Sequence, residues 1–323
     1  MKKNITHFAL IIFVIFSLTG NAFSQSGSSN DKYYPSLDKH KFILNNFLPN
    51  PFLTTNITSN IGFANSIETE IPLLKLDSVV NNVKVKADIT YANGRFGFQY
   101  AVKDWAAIYL MFSGVARLGT NTASIFASGV TANTSFNTGM LFKIKEFKKS
   151  LITTGFTISN ASSTTLNIYP FIKTLLDSTY PIRTDNIVNT LSPLSGSVDF
   201  RFAYSPSKPW SLLSYVETGY GENTDVDKTE DNFFYVFGAS VNYNFDHKSN
   251  FPLGVGAGLK FSSNSPTLQY TKKLTQYYML QLVYTGKKDF TLSLESNYLT
   301  IPTLYDNITI KLTSINFGWA YYF

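Results

Sequence analysis

Hydrophobic and polar residues alternate along much of this chain. Over 232–245, Phe233, Tyr235, Phe237, Ala239, Val241, Tyr243 and Phe245 share one face. Phe234, Val236, Gly238, Ser240, Asn242 and Asn244 share the other. Over 253–261, Leu253, Val255, Ala257, Leu259 and Phe261 oppose Gly254, Gly256, Gly258 and Lys260. Over 197–204, Val198, Phe200, Phe202 and Tyr204 oppose Ser197, Asp199, Arg201 and Ala203. A period of two sustained this long predicts strands rather than helices. A soluble sandwich alternates too, but its apolar face favours Val, Ile and Leu. Here Trp105, Trp210, Tyr220, Tyr243, Phe245, Tyr284, Phe290 and Tyr298 gather at predicted strand ends, as in the aromatic girdles of membrane barrels. The pattern therefore predicts an all-β fold, a transmembrane antiparallel up-and-down β-barrel.

Punctuation sets the strand count. Short polar turns are predicted at Lys103-Asp104, Lys145 to Lys149, Ser205 to Pro209, Asp246 to Pro252 and Thr285 to Asp289. Longer connections are predicted near 77–82, 119–133, 159–194, 221–231, 262–267 and 301–307. Short turns on one side and long loops on the other give about 12 strands, an even number that leaves both ends on the turn side. One stretch is ambiguous. Val83, Val85, Ala87, Ile89 and Tyr91 alternate, but Phe96, Phe98, Tyr100 and Val102 resume on the opposite parity. Asn93-Gly94 lies between them. A glycine bulge there keeps one strand, since one extra residue reverses the facing. A hairpin there would make 14.

The start of the chain has a different pattern. Lys2 and Lys3 precede an apolar run from Phe8 to Leu18, and Ala22-Phe23-Ser24 places small residues for cleavage before Gln25. Residues 1–24 are thus expected to be a cleaved signal peptide, because the run is too short to span a bilayer. Residues 25–52 form an N-terminal periplasmic or plug segment, and 53–323 the barrel. Charged residues are 15%, aromatics 16%, and cysteine is absent. That composition excludes a disordered chain, a disulfide scaffold and thiol chemistry. The net charge of +6 is scattered, which argues against nucleic acid as a partner.

The C-terminal residues carry a resemblance. Ile315, Phe317, Trp319, Tyr321 and Phe323 alternate up to a terminal Phe, with Asn316, Gly318 and Ala320 between them. This resembles the last strand of Gram-negative outer-membrane β-barrel proteins of the porin and transporter type. The resemblance implies that Phe317, Trp319, Tyr321 and Phe323 form an assembly signal read by the barrel assembly machinery. It also implies residence in the bacterial outer membrane, with the lipid bilayer and lipopolysaccharide as partners. No particular activity follows from it.

Function is then sought in the lumen. Charge facing lipid costs about 2–4 kcal/mol at the midplane, so strand charges are expected inside. The expected pore-lining set is Lys84, Lys86, Arg95, Arg117, Asp199, Arg201, Glu217, Lys260, Glu295 and Lys311. Its cationic excess points to an anion-preferring channel for small solutes. In the connection 159–194, Ile168, Phe171, Ile172, Leu175 and Leu176 recur at helical spacing and are expected to form a constriction loop. Phe42-Ile43-Leu44 and Phe47-Leu48, followed by Pro49 and Pro51, make 25–52 a candidate plug similar to that of FadL-type fatty-acid transporters. A transporter of apolar ligands is therefore the alternative, and a sealed structural or adhesion barrel is a third. The chain departs from the FadL type in its strand count and lacks a family motif in 25–52.

Chemistry has little to work with. The histidines are His7, His40 and His247, none placed as a general base at an outer rim. No motif positions a nucleophile, so no enzyme activity and no cofactor is expected. Glu222, Asp225, Asp227, Glu230 and Asp231 crowd one loop, without the register or glycine of an EF-hand, so no metal site is expected.

Overall fold

In the computed structural model, the structure describes residues 34–38, 40–66, 69–74, 83–87, 90–118, 129–166, 188–222, 232–246, 251–263, 274–302 and 309–323, with 69–74, 83–87, 129–131, 165–166, 188–189, 191, 232, 302 and 310 described as backbone only. Among these every element is a strand. They are β1 (Ser36–Leu37), β2 (His40–Lys41), β3 (Asn56–Ser66), β4 (Thr69–Leu74), β5 (Val83–Ala87), β6 (Thr90–Lys103), β7 (Ala106–Leu118), β8 (Gly129–Glu146) and β9 (Ser150–Leu166). There follow β10 (Val188–Leu191), β11 (Leu194–Ser207), β12 (Trp210–Gly221), β13 (Asn232–Asn244), β14 (Leu253–Ser262), β15 (Thr275–Tyr284), β16 (Phe290–Pro302) and β17 (Thr309–Tyr322).

Twelve of these close into one antiparallel barrel. Sequential neighbours pair from β6 round to β17, β17 returns to β3, and β3 pairs with β6. The join between β8 and β9 completes the ring. Closure removes every strand edge, so each wall strand is hydrogen-bonded on both sides. The five short turns fall at the predicted places, and both the start of β3 and the end of β17 lie at that turn end, where Phe323 N donates to Thr55 O at 3.0 Å. Five small strands stand outside the ring. β4 and β5 pair only with each other, β10 extends the loop end of β9, and β1 and β2 form a miniature hairpin.

Two expectations are corrected here. The Asn93-Gly94 site holds neither a bulge nor a hairpin. β6 runs through it in unbroken register with β3 and β7, Asn93 opposite Gly62 and Gly94 opposite Gly114. The apparent change of parity arises because Tyr91 shares the inward face with Arg95 and Gln99. The connection 159–194 is also shorter than expected, since β9 continues to Leu166 and β10 pairs back onto it.

The barrel's outer face is apolar. Ile61, Phe63, Leu280 and Ile315 are all 60% exposed or more, and the outward sets of β13 and β14 are those the alternation predicts. Aromatics mark both strand ends. Trp210 packs edge-on against Tyr243 and Tyr243 against Phe245 at the turn end, with centroids 4.8 and 4.9 Å apart. Tyr278 lies beside Tyr298 towards the loop end, 6.3 Å away. The inner face is polar or small, with Asn56, Asn60, Ser197, Ser240, Asn242 and Gln281 buried there. The largest apolar core lies inside the barrel, between the wall and the chain that precedes β3.

Candidate functional site

Residues 34–55 fold into the turn-end half of the lumen as a plug. Phe42 N bonds Pro35 O at 2.9 Å around the β1–β2 hairpin, whose turn residue Asp38 takes a positive φ of 48°. Asp tolerates that region better than most residues. The chain then rises to a tip at 46–48 and descends to β3. Two asparagines shape the tip: Asn45 Oδ1 accepts Leu48 N at 2.7 Å and Asn50 Oδ1 accepts Phe52 N at 2.8 Å. Such side-chain turns suit a segment without a ladder of its own. Phe42, Phe47, Leu48 and Phe52 are buried against Leu151, Ala203, Leu213, Tyr215 and Met279 of the wall.

An irregular segment leaves its carbonyls without ladder partners, and a buried unpaired carbonyl is costly. The wall supplies the donors. Arg201 Nη1 donates to Asn50 O at 2.7 Å, and Gln99 Nε2 donates to Phe52 O at 2.6 Å and Thr54 O at 2.9 Å. Arg95 Nη1 donates to Asn46 O, and Lys260 Nζ approaches Phe47 O at 3.5 Å. In the other direction, Asn46 gives its backbone and side-chain N–H groups to Glu295 Oε1 at 3.0 and 3.3 Å. Asn45 Nδ2 reaches Ser240 Oγ at 3.2 Å. At the turn end His40 Nδ1 meets Lys208 O and Lys41 Nζ approaches Thr285 O at 3.5 Å. Burial draws the Lys41 ammonium below its usual range; Asp246 pulls it back up and Lys288 pulls it down.

Glycines make the cradle. A Cβ on Gly254 would overlap Ile43 Cδ1, one on Gly238 would stand 2.5 Å from Leu48 Cδ2, and one on Gly318 would stand 2.8 Å from Asn46 Nδ2. Glycine inside a strand weakens it and marks a close approach; here the approaching chain is the protein's own N-terminal segment.

Seven of the predicted lining residues face the lumen: Arg95, Arg117, Asp199, Arg201, Glu217, Lys260 and Glu295. Asp199 and Arg201 form a buried pair, with Nε to Oδ1 at 2.7 Å and Nη2 to Oδ2 at 2.9 Å. The Arg201 guanidinium lies 5.3 Å from the Tyr109 ring centroid. Arg117 stands apart from the plug, opposite Tyr91 in the β6–β7 register. The remaining three differ from expectation. Lys311 is outward, because β17 takes its parity from Ile315, Phe317 and Trp319, which Lys311 shares. It sits opposite Thr300 near the loop end, where a lysine stem can carry its charge out of an apolar belt. Lys84 and Lys86 belong to β5, which pairs with β4 outside the wall; their side chains lie outside the described residues. So do Ile168, Phe171, Ile172, Leu175, Leu176, the acidic loop from 223 to 231, and His247. What narrows the described lumen is the plug.

A cavity of about 190 Å³ lies at the tip of the plug on its loop side. Phe47 and Pro49 form its floor, and Arg95, Tyr215, Glu217, Val236, Lys260, Ser262 and Tyr277 form its walls. Tyr215 hydroxyl donates to Glu217 Oε2. Lys260 Nζ stands 4.5 Å from the Tyr277 ring centroid and 5.1 Å from that of Phe47. Tyr215, Tyr277, Asn46, Asn50 and the cradle glycines lie outside the lining set expected from the sequence. The run Gly254, Gly256, Gly258 on one inward face was the signal available for the last of these.

No protein-family model and no curated relative matches the chain. Among solved structures, an outer-membrane channel from Pseudomonas putida F1 matches with a TM-score of 0.51 at 10% identity, over 88% of this chain and 100% of that one. The NanC porin matches at 0.45 and 11% identity, over 82% and 98%. The KdgM porin matches at 0.42 and 9%, over 82% and 99%. The first of these carries the comparison: this chain shares the closed β-barrel fold of that channel.

Proposed function

We propose that this protein is a bacterial outer-membrane channel for small solutes, closed at rest by its own residues 34–55 and selective for anions when the plug yields. The apolar outer face with aromatics at both strand ends suits a bilayer, where a closed barrel satisfies every backbone group. The observation that carries the reading is the engagement of three wall cations. Arg95, Arg201 and Lys260 point into the lumen, and each meets a plug carbonyl, at Asn46, Asn50 and Phe47 respectively. A neutral carbonyl is a weaker partner for a cation than an anion is. Withdrawal of the plug therefore bares Arg95 and Lys260 to the lumen, beside an Arg201 whose charge Asp199 already meets.

Planar-bilayer recording tests this. The intact protein should show rare, brief openings. Deletion of residues 34–50 should give steady steps whose reversal potential in a salt gradient lies on the anion side. Silence from the deleted form, shown to be folded by its heat-shifted gel mobility, would overturn the channel reading. A cation-side reversal would overturn the selectivity.

A further inference from the structure

We infer that the cavity at the plug tip is a binding site for a small aromatic carboxylate: one ring bearing one negative charge. The inference rests on the channel reading and names the solute class for which the loop-side lumen is built.

The charge comes from Lys260. Its ammonium forms no ion pair within 4.0 Å of a described carboxylate; it touches the Phe47 carbonyl at 3.5 Å and the rings of Phe47 and Tyr277, and the Glu217 carboxylate lies farther along the same wall. Cation–π contacts polarise an ammonium but do not fill its N–H donors. A donor left open beside a cavity is best satisfied by a carboxylate. Arg95 adds positive charge to the same wall while its Nη1 holds Asn46 O.

The ring preference comes from the remaining walls. Phe47, Tyr215 and Tyr277 present three aromatic surfaces, with Val236 and Pro49 between them. A cavity of about 150 Å³ accommodates a benzene ring, and this one is about 190 Å³. Glu217 limits the charge. Its carboxylate stands in the same wall and already takes the Tyr215 hydroxyl proton as a hydrogen bond, so a second anionic group on the solute would face like charge. A monoanion with a flat apolar body fits all three constraints. A small aliphatic acid forgoes the rings, and a neutral arene brings no acceptor for the Lys260 ammonium.

Calorimetric titration of the membrane-extracted protein in detergent, with benzoate, acetate and toluene as probes, tests the assignment. Benzoate should bind more tightly than either of the others. Lys260→Met should weaken benzoate about ten-fold or more, the scale of one hydrogen bond to a charged group, while Lys260→Arg should retain it. Tyr277→Leu should weaken benzoate while leaving acetate unchanged. Equal binding of benzoate and toluene, or of benzoate and acetate, would overturn the proposal. So would benzoate binding indifferent to Lys260→Met in protein that keeps its heat-shifted mobility. The titration does not depend on conduction. Loss of binding with conduction intact removes this site alone, and binding without conduction removes the channel reading and leaves the site.

Discussion

Ile43 occupies the space that a side chain on Gly254 would need. The tip of the isoleucine lies where a Cβ would stand, and Tyr243 O backs that position at 3.2 Å. A barrel-wall glycine is thus matched to one residue of the segment that fills the barrel.

Gly254→Leu should therefore expel the plug without opening the wall. The substituted side chain suits a strand better than glycine does, so the barrel itself should be at least as stable. Bilayer recording should show a raised open probability, with heat-shifted mobility unchanged. A quiet variant would mean that the plug repacks around the obstruction.

The pair Asp199–Arg201 is buried at 1% and 4% side-chain exposure. Breaking such a pair leaves a charge without compensation and costs about 3–5 kcal/mol. Arg201→Met should lower the urea midpoint by a corresponding amount and free Asn50 O from its donor. Asp199→Asn combined with Arg201→Met should lose less than the single change, because no buried charge remains. Gly155 backs this pair, its Cβ position 2.5 Å from Asp199 Oδ2, so Gly155→Val should act in the same direction as Arg201→Met.

The absence of cysteine makes the plug easy to tether. Asn45 and Ser240 are in hydrogen-bond contact at 3.2 Å. Asn45→Cys with Ser240→Cys, joined by a short reducible thiol cross-linker, should abolish all openings, and reductant should restore them. Conduction that persists in the cross-linked protein would show that solute passes with the plug in place.

The C-terminal Phe323 packs edge-on against Tyr321, centroids 4.9 Å apart, and contributes a single backbone bond to Thr55. Its removal should cost the finished barrel little. If residues 317–323 act as an assembly signal, the truncated chain should refold in detergent like the intact protein yet reach the cell's outer membrane in reduced amount. Equal reductions in both settings would assign Phe323 a structural role instead.

The barrel was legible in the residues because its rule is local. Alternation places Phe233, Tyr235 and Phe237 on one face and Gly238, Ser240 and Asn242 on the other whatever lies across the ring, and the short turns follow from Pro, Asp and Lys at fixed intervals. Local rules failed where two solutions were equally local. Tyr91 reads as an outward aromatic beside Val85 and Ala87, but β6 pairs straight through Asn93-Gly94 and carries it inward. Lys311 reads as a lumen charge because charge avoids lipid, but the parity of β17 turns it outward. The plug lay between these cases. Its apolar residues and prolines were visible as a candidate, since Phe42, Ile43, Phe47 and Leu48 must be buried somewhere. Which cation meets which carbonyl, and that Gly238, Gly254 and Gly318 are small to receive Leu48, Ile43 and Asn46, depends on contacts between residues from about 50 to more than 200 positions apart. The sequence by itself determined the wall strands, the facing of most of their residues and their closure into a barrel, because hydrophobic period and turn chemistry act between near neighbours. Only the tertiary structure decided that the lumen is filled from the turn end and that a cavity beside the Lys260 ammonium remains above the filling, because both require the two sides of the ring to be brought around one segment.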